Sequence, residues 1–145
     1  MEIFISKSKE ETQKFGEEFA KRLHLRGVTL IALYGELGSG KTTFIQGLAK
    51  GLGIKKRIIS PTFIIVKTYK LQNQKFFYHI DLYRVQSMDD IKGLGIDEII
   101  DNTQNIVAIE WAEKMGRLLP KKRVDIYFEY VDEEKRKIKI DTSNE

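Results

Sequence analysis

The chain of 145 residues predicts an α/β fold in a single domain spanning residues 1–145. Three observations carry this expectation. Val28–Tyr34 is an apolar run of strand length that leads straight into a glycine-rich turn, and Phe44, Ile45, Leu48 and Ala49 follow at helical spacing. Ile106–Ile109 is a second apolar run, closed by Glu110. Val124–Val131 and Arg136–Asp141 alternate apolar and polar side chains and read as a C-terminal β-hairpin.

The elements follow in order. Residues 2–5 form a short edge strand. Ser8 and Glu11 have the S-x-x-E spacing of a capping box. Phe15, Phe19 and Leu23 then share one face, so a helix of about 14 residues is expected, ending before Gly27. The strand Val28–Tyr34 and the glycine-rich turn come next, and the helix after them is expected to stop at Gly51. Lys55, Lys56 and Arg57 make a basic turn. Pro61 stiffens the stretch Ser60–Phe63, and Phe63–Val66 enters a strand. Val66–Leu71 and Phe76–Leu82 pair as a hairpin that turns near Asn73. Ser87 caps a short helix carrying Met88, Ile91 and Leu94, Gly93 and Gly95 break it, and Ile96–Ile100 is a further helical turn. Pro120 with Lys121–Arg123 is a loop, and Thr142–Glu145 is expected to fray.

Composition excludes several classes. There is no cysteine, so neither disulfides nor thiolate chemistry are available, and two histidines cannot build a histidine-rich metal site. No apolar run approaches the roughly 20 residues of a membrane span, and the N-terminus lacks the pattern of a secretory signal. A cytoplasmic location with no membrane contact is expected. The net charge of +4 permits nucleic-acid contact without requiring it.

Gly35-Glu-Leu-Gly-Ser-Gly-Lys-Thr42 matches G-x-x-x-x-G-K-[S/T], the phosphate-binding loop. Gly35, Gly38 and Gly40 let the backbone wrap a polyphosphate and aim its N–H groups inward, while Lys41 reaches the β- and γ-phosphates. The Thr42 hydroxyl suits Mg²⁺, and the following helix adds its N-terminal dipole. The Rossmann fingerprint is not met, because Thr43 stands where its third glycine belongs. Such a loop needs an acid at the end of a neighbouring strand. Two fit: Glu110 after Ile106–Ile109, in Walker B style, and Asp81 after Phe77–Ile80. One would hold Mg²⁺ and its waters and the other orient the attacking water. His79, two residues from Asp81, shares its face of the strand and reads as a core or supporting residue. Trp111 is either core or a reporter of nucleotide binding. Thr62 stands where nucleotide hydrolases keep a switch threonine that senses the γ-phosphate, or simply opens a strand. Arg84 and Arg136 reach phosphates or base, or are solvated.

The motifs Gly35–Thr43, Ser60–Phe63, His79–Arg84, Leu94-Gly95, Glu110-Trp111 and Arg136 together make the chain resemble the TsaE family, also called YjeE. Its members are ATPases of bacterial tRNA threonylcarbamoyladenosine synthesis. The departures are Glu36, where Asp is common, and Ser39, where Ala is common. The resemblance implies a P-loop NTPase fold with a mixed, mainly parallel central sheet flanked by helices. It implies ATP and Mg²⁺ as cofactors, Mg²⁺ on Thr42 and Glu110, and catalysis by Lys41, Asp81 and Glu110. The nucleotide-binding set it implies is Gly35, Gly38, Ser39, Gly40, Lys41, Thr42, Thr43, Thr62 and Arg136. It also implies a partner pair, TsaB–TsaD, with tRNA reached through the assembled complex. The pair forms N6-threonylcarbamoyladenosine beside the anticodon of tRNAs reading A-starting codons. A small-molecule kinase and a nucleotide-binding scaffold with little turnover are the alternatives. A guanine-specific switch would carry Asn-Lys-x-Asp, which is absent.

Overall fold

The computed structural model describes residues 1–58 and 65–144. The strands are β1 (Glu2–Ser6), β2 (Leu30–Tyr34), β3 (Val66–Lys70), β4 (Phe76–Asp81), β5 (Ile106–Glu110), β6 (Val124–Tyr130) and β7 (Arg136–Asp141). The helices are α1 (Lys9–Arg26), α2 (Lys41–Gly51), α3 (Met88–Lys92) and α4 (Ile96–Asp101), followed by a 3-10 segment, Ala112–Leu118. Thr62, the expected switch threonine, lies outside the described residues, as does the expected strand entry at Phe63.

The strands form one sheet in the order β1-β7-β6-β2-β5-β4-β3. The inner four, β6, β2, β5 and β4, run parallel. The outer strands β7, β1 and β3 add antiparallel margins. The sheet is therefore mixed with a parallel centre, as expected, and β6–β7 is the C-terminal hairpin. Side chains alternate across β2. Ile31 and Leu33 pack with Phe19, Leu23, Phe44 and Leu48 of α1 and α2. Leu30 and Ala32 face the opposite core, built with Ile91, Ile96 and Met115 from α3, α4 and the 3-10 segment. Helices cover both faces, which is why β2 and the run Ile106–Ile109 of β5 are continuously apolar.

Local chemistry explains most boundaries. The Ser8 Oγ accepts from the Glu11 N–H at 3.1 Å, so it caps α1. The capping box is only half made, because Glu11 Oε2 accepts from the N–H of Lys7 (2.6 Å). Helix α1 has 18 residues, longer than expected. Its buried stripe Thr12, Gly16, Phe19, Ala20 and Leu23 sustains the 3.6 period up to Gly27, which takes a left-handed C-cap. Helix α2 stops at Gly51 as expected, but Gly51 is its last residue rather than a left-handed cap, and its Cβ would lie 2.4 Å from Glu17 O. It is there to let α1 approach, and Gly47 does the same against Gln13. Asn73 and Gln74 both take positive φ in the turn between β3 and β4, where the Leu71 N–H donates to Lys75 O at 2.8 Å. The tail does not fray at Asn144, whose Nδ2 donates to Asp125 Oδ2 at 3.2 Å.

Candidate functional site

The parallel centre delivers three segments to one end of the sheet. Strand β2 ends at Tyr34 and runs into the glycine-rich loop; β4 ends at Asp81; β5 ends at Glu110. The β4–β5 register sets Asp81 directly beside Glu110. A cleft of about 340 Å³ opens there, lined by the loop, the start of α2, Asp81, Glu110, Trp111 and Arg136. Ligands of parallel α/β sheets bind at this carboxyl end.

The loop is shaped by glycine. Gly35 has φ 145°, and a Cβ there would sit 2.5 Å from Phe128 O and 2.7 Å from Ser39 Oγ. Gly40 is the N-cap of α2 at φ 105° and supplies no side-chain cap. No acid occupies the first turn. The N-terminal amides of α2 are therefore left for an anion. Thr43 and Gly38 line the cleft beside them. The Ser39 Oγ is buried without a hydrogen-bond partner among the described residues.

Lys41 is buried, and its Nζ donates to the carbonyls of Gly35 and Glu36. The ammonium lies 4.4 Å from the centroid of the Trp111 ring, within cation–π range. Burial pushes its pKa below the ordinary lysine value, against the pull of Glu110, Glu113, Asp81 and Glu36. Trp111 itself takes a left-handed backbone, φ 59°. That turn carries the chain off β5 and lays the indole on Lys41.

Glu110 is the hub of the polar groups. It is 3% exposed. Its Oε1 accepts from Thr42 Oγ1 at 3.4 Å and its Oε2 lies 2.6 Å from His79 Nε2. His79 is fully buried and its Nδ1 has no partner among the described residues. With the Glu110 carboxylate as acceptor, the His79 Nε2–H is the donor of this bond. Asp81 is half-buried, and its Oδ1 accepts from the Tyr83 N–H at 3.0 Å. Thr42 and Glu110 are the oxygen donors placed to share a cation. Their 3.4 Å separation is close to the roughly 3 Å between neighbouring oxygens of an octahedron with about 2.1 Å Mg–O bonds. Among the described residues no group of three His, Cys, Asp or Glu side chains converges on a metal position. Further ligands would have to be phosphate oxygens or water.

Arg136 reaches the loop from the far side of the sequence. Its Nε donates to Gly38 O at 3.1 Å, its Nη1 to Lys135 O at 2.9 Å, and its guanidinium stacks on Tyr130. It thus clamps the loop from the β6–β7 hairpin. Sequence reasoning missed Lys9, Thr12, Glu133 and Glu134, which complete the cleft rim. Only the packing of α1 and of the β6–β7 turn against the loop reveals them; no local motif marks these positions. It also missed the 3-10 segment, whose start on a left-handed tryptophan without a side-chain cap gives no helix signal.

The profile of the family described as threonylcarbamoyl adenosine biosynthesis protein TsaE matches residues 6–138. The chain belongs to the TsaE family. Among curated members, it is 40% identical to TsaE of Borreliella burgdorferi, over 84% of this chain and 86% of that protein. It is 34% identical to TsaE of Treponema pallidum, over 94% of this chain and 97% of that protein. The crystal structure of YdiB from Bacillus subtilis superposes with a TM-score of 0.72 at 28% identity, covering 94% of this chain and 82% of that one. The fold is thus the P-loop type, as expected for TsaE. No helix among the described residues is long and apolar enough to cross a membrane.

Proposed function

We propose that this TsaE-family chain binds ATP with Mg²⁺ in the cleft and hydrolyses it in support of a TsaB–TsaD pair that modifies tRNA. The observation that carries this reading is the convergence of the uncapped start of α2, the buried Lys41, and the Thr42–Glu110 oxygen pair on one cleft.

The loop amides and the α2 terminus bind the β- and γ-phosphates, and Lys41 exchanges its two carbonyl partners for phosphate oxygens. Thr42 and Glu110 hold the Mg²⁺, which when bound neutralises charge developing on the phosphate oxygens. His79 holds Glu110 by its Oε2, which leaves Oε1 turned to Thr42. Asp81 stands beside Glu110 and orients the attacking water. Trp111 covers Lys41 and excludes solvent from it. Arg136 holds the loop in its wrapped form.

The test is ATP hydrolysis by the chain alone, with the TsaB–TsaD pair, and with tRNA added. Turnover is expected to be slow alone and to rise with the pair. A chain that binds ATP but shows no partner-dependent turnover would leave it a nucleotide-binding scaffold.

A further inference from the structure

The sequence holds three basic clusters, and the structure separates them. In Lys121–Arg123, the Arg123 Nε donates to the buried Asp125 at 2.8 Å and its Nη1 donates to Pro120 O at 2.8 Å. In Lys135–Lys137, Arg136 is bound to the glycine-rich loop. One arginine of each cluster, Arg123 and Arg136, is committed inside the molecule. Lys55, Lys56 and Arg57 are different. All three are exposed, and none has a carboxylate within 4.0 Å among the described residues.

These three lie where two open grooves meet. One groove runs along the C-terminal half of α2 past Lys50, and the other runs over edge strand β3 past Lys67 and Lys70. Together they present Lys50, Lys55, Lys56, Arg57, Lys67 and Lys70, and Glu10 is the one carboxylate in their lining among the described residues. The charge gathered here exceeds the net +4 of the whole chain. Among the described residues, Lys50 alone of these approaches an acid, at 4.0 Å from Glu17. A track of cations so poor in acids concentrates positive potential along its length.

The track is tied to the nucleotide cleft in two ways. Lys9 lines both the first groove and the cleft. Gln46, on α2, donates from Nε2 to Ile58 O at 3.2 Å, so the helix whose first turn carries Lys41 and Thr42 also holds the basic turn.

We infer that this track binds the phosphate backbone of an RNA strand. The inference rests on the reading that the chain serves tRNA modification. Lysines and an arginine on an open groove contact phosphates without reading sequence, so binding is electrostatic and set by salt. An acidic protein face would meet the same charge, and the experiment separates the two.

The probe is a labelled unmodified tRNA transcript, titrated with the intact chain and followed by fluorescence anisotropy between about 50 and 200 mM salt. The variant is Lys55→Gln/Lys56→Gln/Arg57→Gln, and Lys121→Gln/Lys122→Gln is the control. Each lost phosphate contact lowers the slope of log K against log salt by about 0.7–0.9. The triple variant is therefore expected to lose about two units of slope and at least about tenfold in affinity, with the control unchanged. Equal ATP affinity and thermal stability in the triple variant establish that it is folded. An unchanged salt slope in the triple variant overturns the proposal, as does wild-type tRNA binding no tighter than that of the triple variant. A salt-dependent loss confined to TsaB–TsaD binding also overturns it and assigns the track to a protein. Partner-stimulated ATP hydrolysis is measured on the same samples. If it persists while RNA binding is insensitive, the groove assignment fails and the proposed function stands.

Discussion

Removing His79 should unmask the cost of leaving one buried oxygen of Glu110 without its hydrogen bond. His79 is fully buried and Glu110 is 3% exposed, and their polar atoms are 2.6 Å apart. A hydrogen bond to a charged group contributes about 1.5–3 kcal/mol. His79→Ala removes that bond and leaves a cavity, so a loss of about 2–4 kcal/mol is expected. For a domain of this size that is a fall in Tm of about 6–12 °C. Glu110→Ala removes the same bond from the other side. The informative quantity is the double-mutant cycle of His79→Ala with Glu110→Ala, measured by urea unfolding of all four proteins. A coupling of about 1.5–3 kcal/mol is expected, so the double variant is more stable than the two single losses imply. Single losses that add to within about 0.5 kcal/mol would refute the pairing and with it the orientation of Glu110.

Four further outcomes follow from the structure. Burial, then the hydrogen bond to Asp125, raise the pKa of the Tyr34 hydroxyl above its ordinary value of 10.0. The folded state then holds a proton that the unfolded state loses, so this stability is present below pH 10 and lost above it; Tyr34→Phe should flatten alkaline denaturation curves. A Cβ on Gly47 would lie 1.8 Å from Gln13 O, so Gly47→Ala should cost a net 1 kcal/mol or so after its helical gain of about 1 kcal/mol. Gly93→Ala, with nothing nearer than 3.7 Å, should be neutral or stabilising in the same thermal melts. Single-turnover hydrolysis in the assembled complex should fall on the order of 10²-fold for Asp81→Asn with ATP binding kept, while Glu110→Gln should mainly raise the Mg²⁺ requirement.

What the sequence disclosed was local. The loop, the apolar runs that become β2 and β5, and Ser87, whose Oγ accepts from the Asp90 N–H at 3.3 Å, are read from neighbouring residues. The β6–β7 hairpin needs only alternation. What stayed hidden depends on register and crossing. His79 meets Glu110 because β4 pairs with β5 so that His79 opposes Ala108 and Glu110 is its diagonal neighbour. Gly51 ends α2 as the sequence suggests, but its close approach to Glu17 shows only when α1 is packed on it. Arg123 looks like part of a basic loop until Asp125 is seen to be buried beside it. The tail looks free until Asn144 joins the same carboxylate.

The central claim is that the cleft binds Mg²⁺ and ATP through the loop and Lys41. Its most direct test is calorimetric titration of ATP, with and without Mg²⁺, into the wild-type chain and into Lys41→Ala and Thr42→Ala. The expected result is Mg²⁺-enhanced binding to wild type. A loss of about 10- to 100-fold is expected for Lys41→Ala, the equivalent of one charge-assisted contact. Thr42→Ala should abolish the Mg²⁺ enhancement. Unchanged affinity and unchanged Mg²⁺ dependence in both variants would contradict the account.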